Sequence, residues 1–163
     1  ADNMKKNKLV VPVLKWVGGK RQLLETFRPL LPSRITTYCE PFIGGGALLF
    51  HLQPSVACIN DINPELIRVY TVIKNDVEAL IAELEKYENT SEYFYAVRDW
   101  DRDKEYYAKL SEVQKAARVL YLKDGGGFSV ASQGFARYRE TPWLQHFAGI
   151  AIFGVSMEAG GNL

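Results

Sequence analysis

At 163 residues the chain has the length of about one domain. It is 47% hydrophobic and 24% charged, a balance that fits a folded core and excludes a wholly disordered chain, a collagen-like fibre and a coiled coil. No stretch approaches the roughly 18 consecutive apolar residues that a membrane-spanning helix needs.

The net charge of +1 conceals three regions of different sign. Residues 1–34 carry eight Lys and Arg against two acids, residues 35–112 seven against fourteen, and residues 113–163 five against three. The basic arm can serve a polyanion, although a solvated basic surface is the more common explanation.

The start, ADNMKKNKLVVPVLKW, has a short apolar run broken by Pro12 and Lys15, so no secretory signal is expected. Gly18-Gly19 turns the chain ahead of a predicted helix in which Leu23, Leu24, Phe27, Leu30 and Leu31 form a buried stripe. Pro32-Ser33 closes it. Residues 35–39 are β-branched and aromatic and predict a strand that ends at Glu40-Pro41. Gly44-Gly45-Gly46 follows, then the apolar helix start ALLFHL, then a second strand over 55–60 that ends at Asp61. Strand, glycine loop, helix and strand make one parallel crossover unit. Cys39 and Cys58 fall in these strands and are expected as buried thiols in a reducing cytoplasm.

Asn63-Pro64-Glu65 has the chemistry of a helix start, and a further helix is expected from Asp76. Tyr93, Phe94, Tyr95 and Trp100 follow as an aromatic segment, more in keeping with a core than with base stacking. The charge run 98–105 reads as a solvated face or loop. Ser111 opens another helix, with Val113, Ala116, Ala117, Leu120 and Tyr121 on one side. From Gly125 onward the pattern weakens. FSVASQGFARYRETP alternates poorly, and the tail IAIFGVSMEAGGNL predicts no defined element.

Two stretches carry candidate chemistry. A glycine-rich turn between strand and helix lets a ligand approach the backbone, and the helix start adds free N–H groups. Asp61, about twenty residues after the loop, is placed as an acid for ribose hydroxyls is placed in a nucleotide-binding crossover. The glycines fit neither G-x-G-x-x-G nor a phosphate-binding loop, so an adenosyl ligand without phosphates is favoured over a pyrophosphate. A plain turn with a helix cap at Asp61 is the simpler alternative. In Lys15-Trp16-Val17-Gly18-Gly19-Lys20-Arg21, the lysines could hold a carboxylate and the Trp could cover a ring. A surface lysine pair beside a core Trp is the alternative there. His51, His146, Cys39 and Cys58 have no metal-ligand spacing.

Taken together, KWVGGKRQLL, EPFIGGGALLF and INDINPELI, in that order, resemble the Dam-type DNA adenine methyltransferases. SEVQKAARVLYL extends the resemblance, which covers residues 10–123. It implies an α/β fold, a partial Rossmann-like methyltransferase sheet with an inserted helical DNA-recognition subdomain. It implies S-adenosylmethionine as cofactor, double-stranded DNA as partner, no membrane and a cytoplasmic location. Trp16 and Lys20 match the family's N-terminal cofactor motif. Glu40, Pro41, Phe42, Gly44, Gly45 and Gly46 match the loop beside the methionine portion, and Asp61 matches the ribose acid. The division that follows is 1–63 for cofactor binding, 64–123 for the start of the recognition subdomain and 124–163 for a divergent tail.

One departure from the family is decisive for chemistry. Its Asp-Pro-Pro-Tyr segment, which receives the flipped adenine, has no counterpart, and no Pro-Pro pair occurs anywhere in the chain. Gly126-Gly127-Phe128, Ser132-Gln133-Gly134 and Phe135-Ala136-Arg137-Tyr138-Arg139 read as a shortened echo of the family's recognition region. No catalytic residue is therefore assigned, and the chain alone is expected to be inactive. A sheet lacking strands favours self-association. The alternatives are a non-catalytic remnant that retains cofactor or DNA affinity, and a small α/β domain without a ligand site.

Overall fold

The computed structural model describes residues 10, 12–14, 16, 20–126, 147 and 149–154. Three parallel strands, β1 (Tyr38–Glu40), β2 (Ala57–Asp61) and β3 (Ala151–Gly154), form one sheet in the order β1-β2-β3. The register sets Cys39 opposite Cys58, Glu40 opposite Ile59, Ile59 opposite Ile152 and Asp61 opposite Gly154. Parallel neighbours need a crossover, and α2 (Ala47–Leu52) supplies it between β1 and β2. With α3 (Pro64–Leu84) and the helices after it, this is the mixed α/β architecture expected from the sequence.

Local chemistry accounts for most helix boundaries. Gly46, at φ 73°, is the residue before α2, and the helix closes on Gln53 at φ 49°. Ala47, Leu49, Phe50 and Leu52 are its buried residues. At the start of α3 the Asn63 side chain accepts the Glu65 N–H at 2.9 Å, and Pro64 occupies a position where its missing N–H costs nothing. Within α3, Asp76 leaves helical geometry at φ −153°, ψ 53°. The expected helix start at Asp76 is thus a kink inside one long helix, at a residue type whose side chain competes with the helical backbone. Leu66, Val69, Tyr70, Val72 and Ile73 are buried before the kink, and Leu80, Ile81 and Leu84 after it.

Of the remaining helices, α4 (Ser91–Arg98), α5 (Lys104–Lys109) and α6 (Glu112–Lys123), α6 packs on α3, α4 packs on α6, and α5 packs on the turn that follows α4. Ser111 and Gln114 exchange side-chain and backbone hydrogen bonds at the start of α6, a complete capping box. Arg118 of α6 is buried and donates to the carbonyls of Val97 at 2.9 Å and Arg98 at 2.6 Å, with Asp101 3.0 Å away. The charge run 98–105 is therefore partly recruited to hold α4 against α6, rather than left wholly in solvent. Tyr87 stacks edge-on against Tyr93, Trp100 and Tyr121, with ring centroids 5.2–5.9 Å apart. Tyr93, Phe94 and Trp100 pack on the core as expected, whereas Tyr95 is exposed beneath Arg98.

Four expectations are corrected. The segment before β1 is helical over Lys20–Leu30, but only Leu24–Phe27 (α1) is α-helix, flanked by 3₁₀ turns. None of its residues whose burial is described is buried, and Leu30 is 75% exposed. Three residues per turn and Pro29 break the i, i+3, i+4 stripe that a regular α-helix would have aligned. The first strand begins at Tyr38 rather than at 35, and the second at Ala57 rather than at 55. The cysteines are neither buried nor free: Cys39 is exposed, Cys58 is half-buried, and a disulfide joins them. Strand alternation explains this, because Glu40 takes the inward position and turns Cys39 outward, opposite Cys58 in register. Finally, the tail supplies β3, anchored by the buried side chains of Phe147 and Ile150. The echo over residues 127–139 and His146 lie outside the described residues.

Burial raises the phenol pKa of Tyr87, Tyr93, Tyr107 and Tyr121 above the ordinary value. Below about pH 10 these phenols hold their protons in folded and unfolded chains alike. Above it the unfolded chain releases protons that the folded chain keeps, so stability falls as pH rises. Absorbance titration at about 295 nm should show these four tyrosines ionising only with the cooperative loss of near-ultraviolet circular dichroism. Smooth ionisation of all tyrosines near pH 10 with the fold intact would contradict the packing described.

Candidate functional site at the carboxyl ends of the strands

In a parallel sheet the carboxyl ends of the strands and the loops that leave them form the natural ligand edge. At that edge β1 delivers Glu40, and β2 delivers Asp61. Both are buried carboxylates, and each is held by a definite set of donors.

Asp61 accepts the Gly44 N–H on Oδ2 and the Asn63 N–H on Oδ1, each at 2.9 Å. One side chain thus ties the glycine loop to the turn that starts α3. Asn60 adds a backbone bond by accepting the Ile43 N–H at 2.9 Å. Tyr70, fully buried in α3, donates its hydroxyl to the Gly44 carbonyl at 2.8 Å. Gly44, at φ 52°, thereby has both its N–H and its C=O committed. The loop accommodates only a small residue at its centre, since a Cβ on Gly45 would come within 2.9 Å of the Leu14 carbonyl and 3.3 Å of Trp16 Cβ.

Glu40 is 5% exposed and takes two donors. Lys20 pairs with its Oε1, and Tyr38 donates its hydroxyl to Oε2 at 2.5 Å. The Lys20 ammonium also donates to the Phe42 carbonyl at 2.8 Å. Burial, then the hydrogen bond to Glu40, pushes the Tyr38 phenol far above its ordinary value, so it remains a donor throughout the physiological range. A cation and an anion are thus held side by side at the end of β1, next to backbone polar groups. The arrangement offers complementary charges to a zwitterion such as an α-amino-acid head group.

The expected site residues fall into two connected groups. Lys20, Glu40 and the Phe42 carbonyl form the charged group. Gly44, Gly45, Gly46, Asp61 and Trp16 form the loop group, with Trp16 half-buried against Gly44 and Gly45. Pro41 is exposed between the two, and the Phe42 side chain is 67% exposed. Gly18 and Gly19 lie outside the described residues. Tyr38 and Tyr70 are additional members of the site. Their signals were the i, i+2 relation of Tyr38 to Glu40 on one strand face and a hydroxyl on the apolar face of α3. Asp61 organises the turn before α3 and ties it to the glycine loop. Among the described residues no group of three His, Cys, Asp or Glu side chains could hold a metal ion, and no helix is long and apolar enough to cross a membrane.

Comparison with known proteins places the sequence in a family. The family model for D12 class N6 adenine-specific DNA methyltransferases matches residues 16–126. The type II methyltransferase M1.LlaDCHI of Lactococcus lactis subsp. cremoris is 47% identical over 122 residues, covering 73% of this chain and 43% of the relative. The type II methyltransferase M.MjaIII of Methanocaldococcus jannaschii is 38% identical over 132 residues, covering 69% of this chain and 45% of the relative. The DNA adenine methylase of Haemophilus influenzae is 29% identical over 120 residues, covering 71% and 40%. The chain therefore spans less than half the length of these relatives, and β3 lies beyond the residues matched by the family model.

Removing the Tyr70 hydroxyl leaves the Gly44 carbonyl without its side-chain donor while the ring still fills its place. Tyr70→Phe should lower unfolding free energy by about 1 kcal/mol in urea titration. A change below about 0.3 kcal/mol would mean that this bond does not hold the loop.

Proposed function

The chain belongs to the D12 class of N6 adenine-specific DNA methyltransferases, and from that membership we propose that it is the cofactor-binding portion of an enzyme that methylates the exocyclic amine of adenine in duplex DNA. The observation that carries this reading is the Lys20–Glu40 pair set beside an Asp61-tethered glycine loop. The methyl donor is S-adenosylmethionine, which supplies an electrophilic methyl on a sulfonium centre.

The residues present fit that donor. Lys20 offers a cation to a carboxylate, and Glu40 an anion to an ammonium, so together they bind an amino-acid head group in one orientation. The glycine loop permits close approach of a ligand to the backbone. Asp61 spends one lone pair of each oxygen on Gly44 and Asn63 and retains others that can accept ribose hydroxyls. Trp16, beside the loop, offers an aromatic surface at the same edge. Tyr38 keeps Glu40 oriented.

What these residues do is bind and align. Methyl transfer requires the amine in line with the methyl–sulfur bond, and the loss of that alignment removes most of the rate. The sequence holds no Asp-Pro-Pro-Tyr segment to grip the flipped adenine, so the acceptor side of the reaction has no residues here. The helical part, residues 64–123, is the start of the DNA-recognition subdomain, and residues 124–163 its divergent continuation. Duplex DNA is the partner. The short sheet favours association with further polypeptide, including a second copy of this chain.

Calorimetry tests the reading most simply. The chain should bind S-adenosylmethionine, and Glu40→Gln should weaken that binding about tenfold or more, as expected for a charge-assisted hydrogen bond. Adenosine, which lacks the amino-acid head, should bind both proteins alike. No heat at millimolar cofactor with the chain folded, or equal losses for both ligands, would overturn it. In the same preparations, labelled methyl should not pass to unmethylated duplex DNA, and incorporation above background would mean that another group in the chain forms the acceptor pocket.

A further inference from the structure

Helix α6 ends at Lys123, whose ammonium lies 4.3 Å from the centroid of the Trp16 ring. That distance is well inside the range of about 6 Å over which an ammonium is attracted to an aromatic face. The other side of the contact is the glycine loop. Trp16 Cδ1 is 3.8 Å from the position a Cβ would take on Gly44, and Trp16 Cβ is 3.3 Å from that on Gly45. The indole therefore bridges the loop tethered by Asp61 and the last residue of α6. Upstream, α6 is fixed to its own surroundings. Glu112 pairs with Arg68 of α3, Tyr121 donates to the Glu88 carbonyl at 2.7 Å, and Arg118 clasps the end of α4. Downstream, Gly125 and Gly126, at φ 71° and 78°, close the helix, with their N–H groups donating to the carbonyls of Leu122 and Tyr121.

We propose that Lys123 is a positioning residue of the cofactor site, acting through Trp16: its charge holds the indole against the glycine loop and couples the end of α6 to that loop. The proposal rests on the function assigned above. Trp16 touches the loop but is only half-buried, and hydrophobic contact alone leaves its ring free to swing. A charge centred over one face restricts that motion at little cost in desolvation, because Lys123 stays exposed. Two consequences follow. Losing the charge loosens the ring and weakens cofactor binding without unfolding the chain. Displacing the end of α6 does the same, so events in the helical part are felt at the cofactor loop.

The experiment uses the full chain, Lys123→Met and Lys123→Arg. Methionine keeps the length of the side chain without the charge, and arginine keeps the charge and stacks on aromatic faces. Calorimetry with S-adenosylmethionine should show about two- to fivefold weaker binding for Lys123→Met, as expected for an exposed cation–π contact, and restoration by Lys123→Arg. The second readout needs no cofactor. In protein labelled with 5-fluorotryptophan, the ¹⁹F resonance of Trp16, identified through Trp16→Phe, should move and broaden in Lys123→Met and return in Lys123→Arg. Unchanged binding in Lys123→Met, or a Lys123→Arg protein as weak as Lys123→Met, would overturn the proposal even if the resonance moved. If the unsubstituted chain bound no cofactor, the functional reading would fail on its own. An unmoved Trp16 resonance would then independently overturn the contact.

Discussion

A single buried carboxylate fixes the ligand edge of this sheet. Asp61 accepts backbone N–H groups from Gly44 and Asn63, one on each oxygen, so the glycine loop and the start of α3 cannot move apart without breaking a charge-assisted hydrogen bond. The other features of the site are built upon that tether. With Gly44 held by its N–H, the carbonyl is presented to Tyr70. With the loop in place, the Leu14 carbonyl and Trp16 pack against Gly45. With Asn63 held, its side chain is free to cap α3. The cost of burying Asp61 is met by donors that would otherwise be unpaired loop amides, which is why an acid is suited to the end of β2.

The charged half of the site follows a different logic. Glu40 lies on the inward face of β1 and is buried, so it requires partners there, and Lys20 and Tyr38 provide them. The same alternation sends Cys39 outward to meet Cys58. One strand of three residues thus sets a buried carboxylate on one side and a covalent link to β2 on the other. The helical part is organised separately, around the buried Arg118 and the Tyr87 ring cluster. It reaches the ligand edge through Tyr70 and Lys123.

What was legible in the sequence was what is decided locally. The Asn63-Pro64-Glu65 start of α3 and the Ser111 start of α6 are written in side chains that bond their own backbone, and they stand where expected. The glycine loop followed by ALLFHL was equally plain. Misreadings arose where a tertiary partner decides. Leu23 to Leu31 have a helical period, but short 3₁₀ turns and Pro29 leave the stripe unburied. Strand β3 is four residues long, too short for a period to register, and it exists because β2 offers it an edge. The disulfide depends on register across a crossover, which spacing alone does not set. The candidate residues were named individually, while the pairing of Lys20 with Glu40 and the role of Tyr70 emerge only when strand ends and helix face meet.

The central claim is that the Asp61 carboxylate holds the glycine loop in place against the start of α3. Amide hydrogen exchange of Gly44 and Asn63 tests it most directly, in the unsubstituted chain and in Asp61→Ala. Both amides should be protected in the former. In Asp61→Ala both should exchange at least about tenfold faster, the equivalent of losing roughly 1.4 kcal/mol or more of local stability, while amides within β2 and α6 keep their protection. Amides of Gly44 and Asn63 that exchange freely in the unsubstituted chain, or remain protected in Asp61→Ala, would contradict the account.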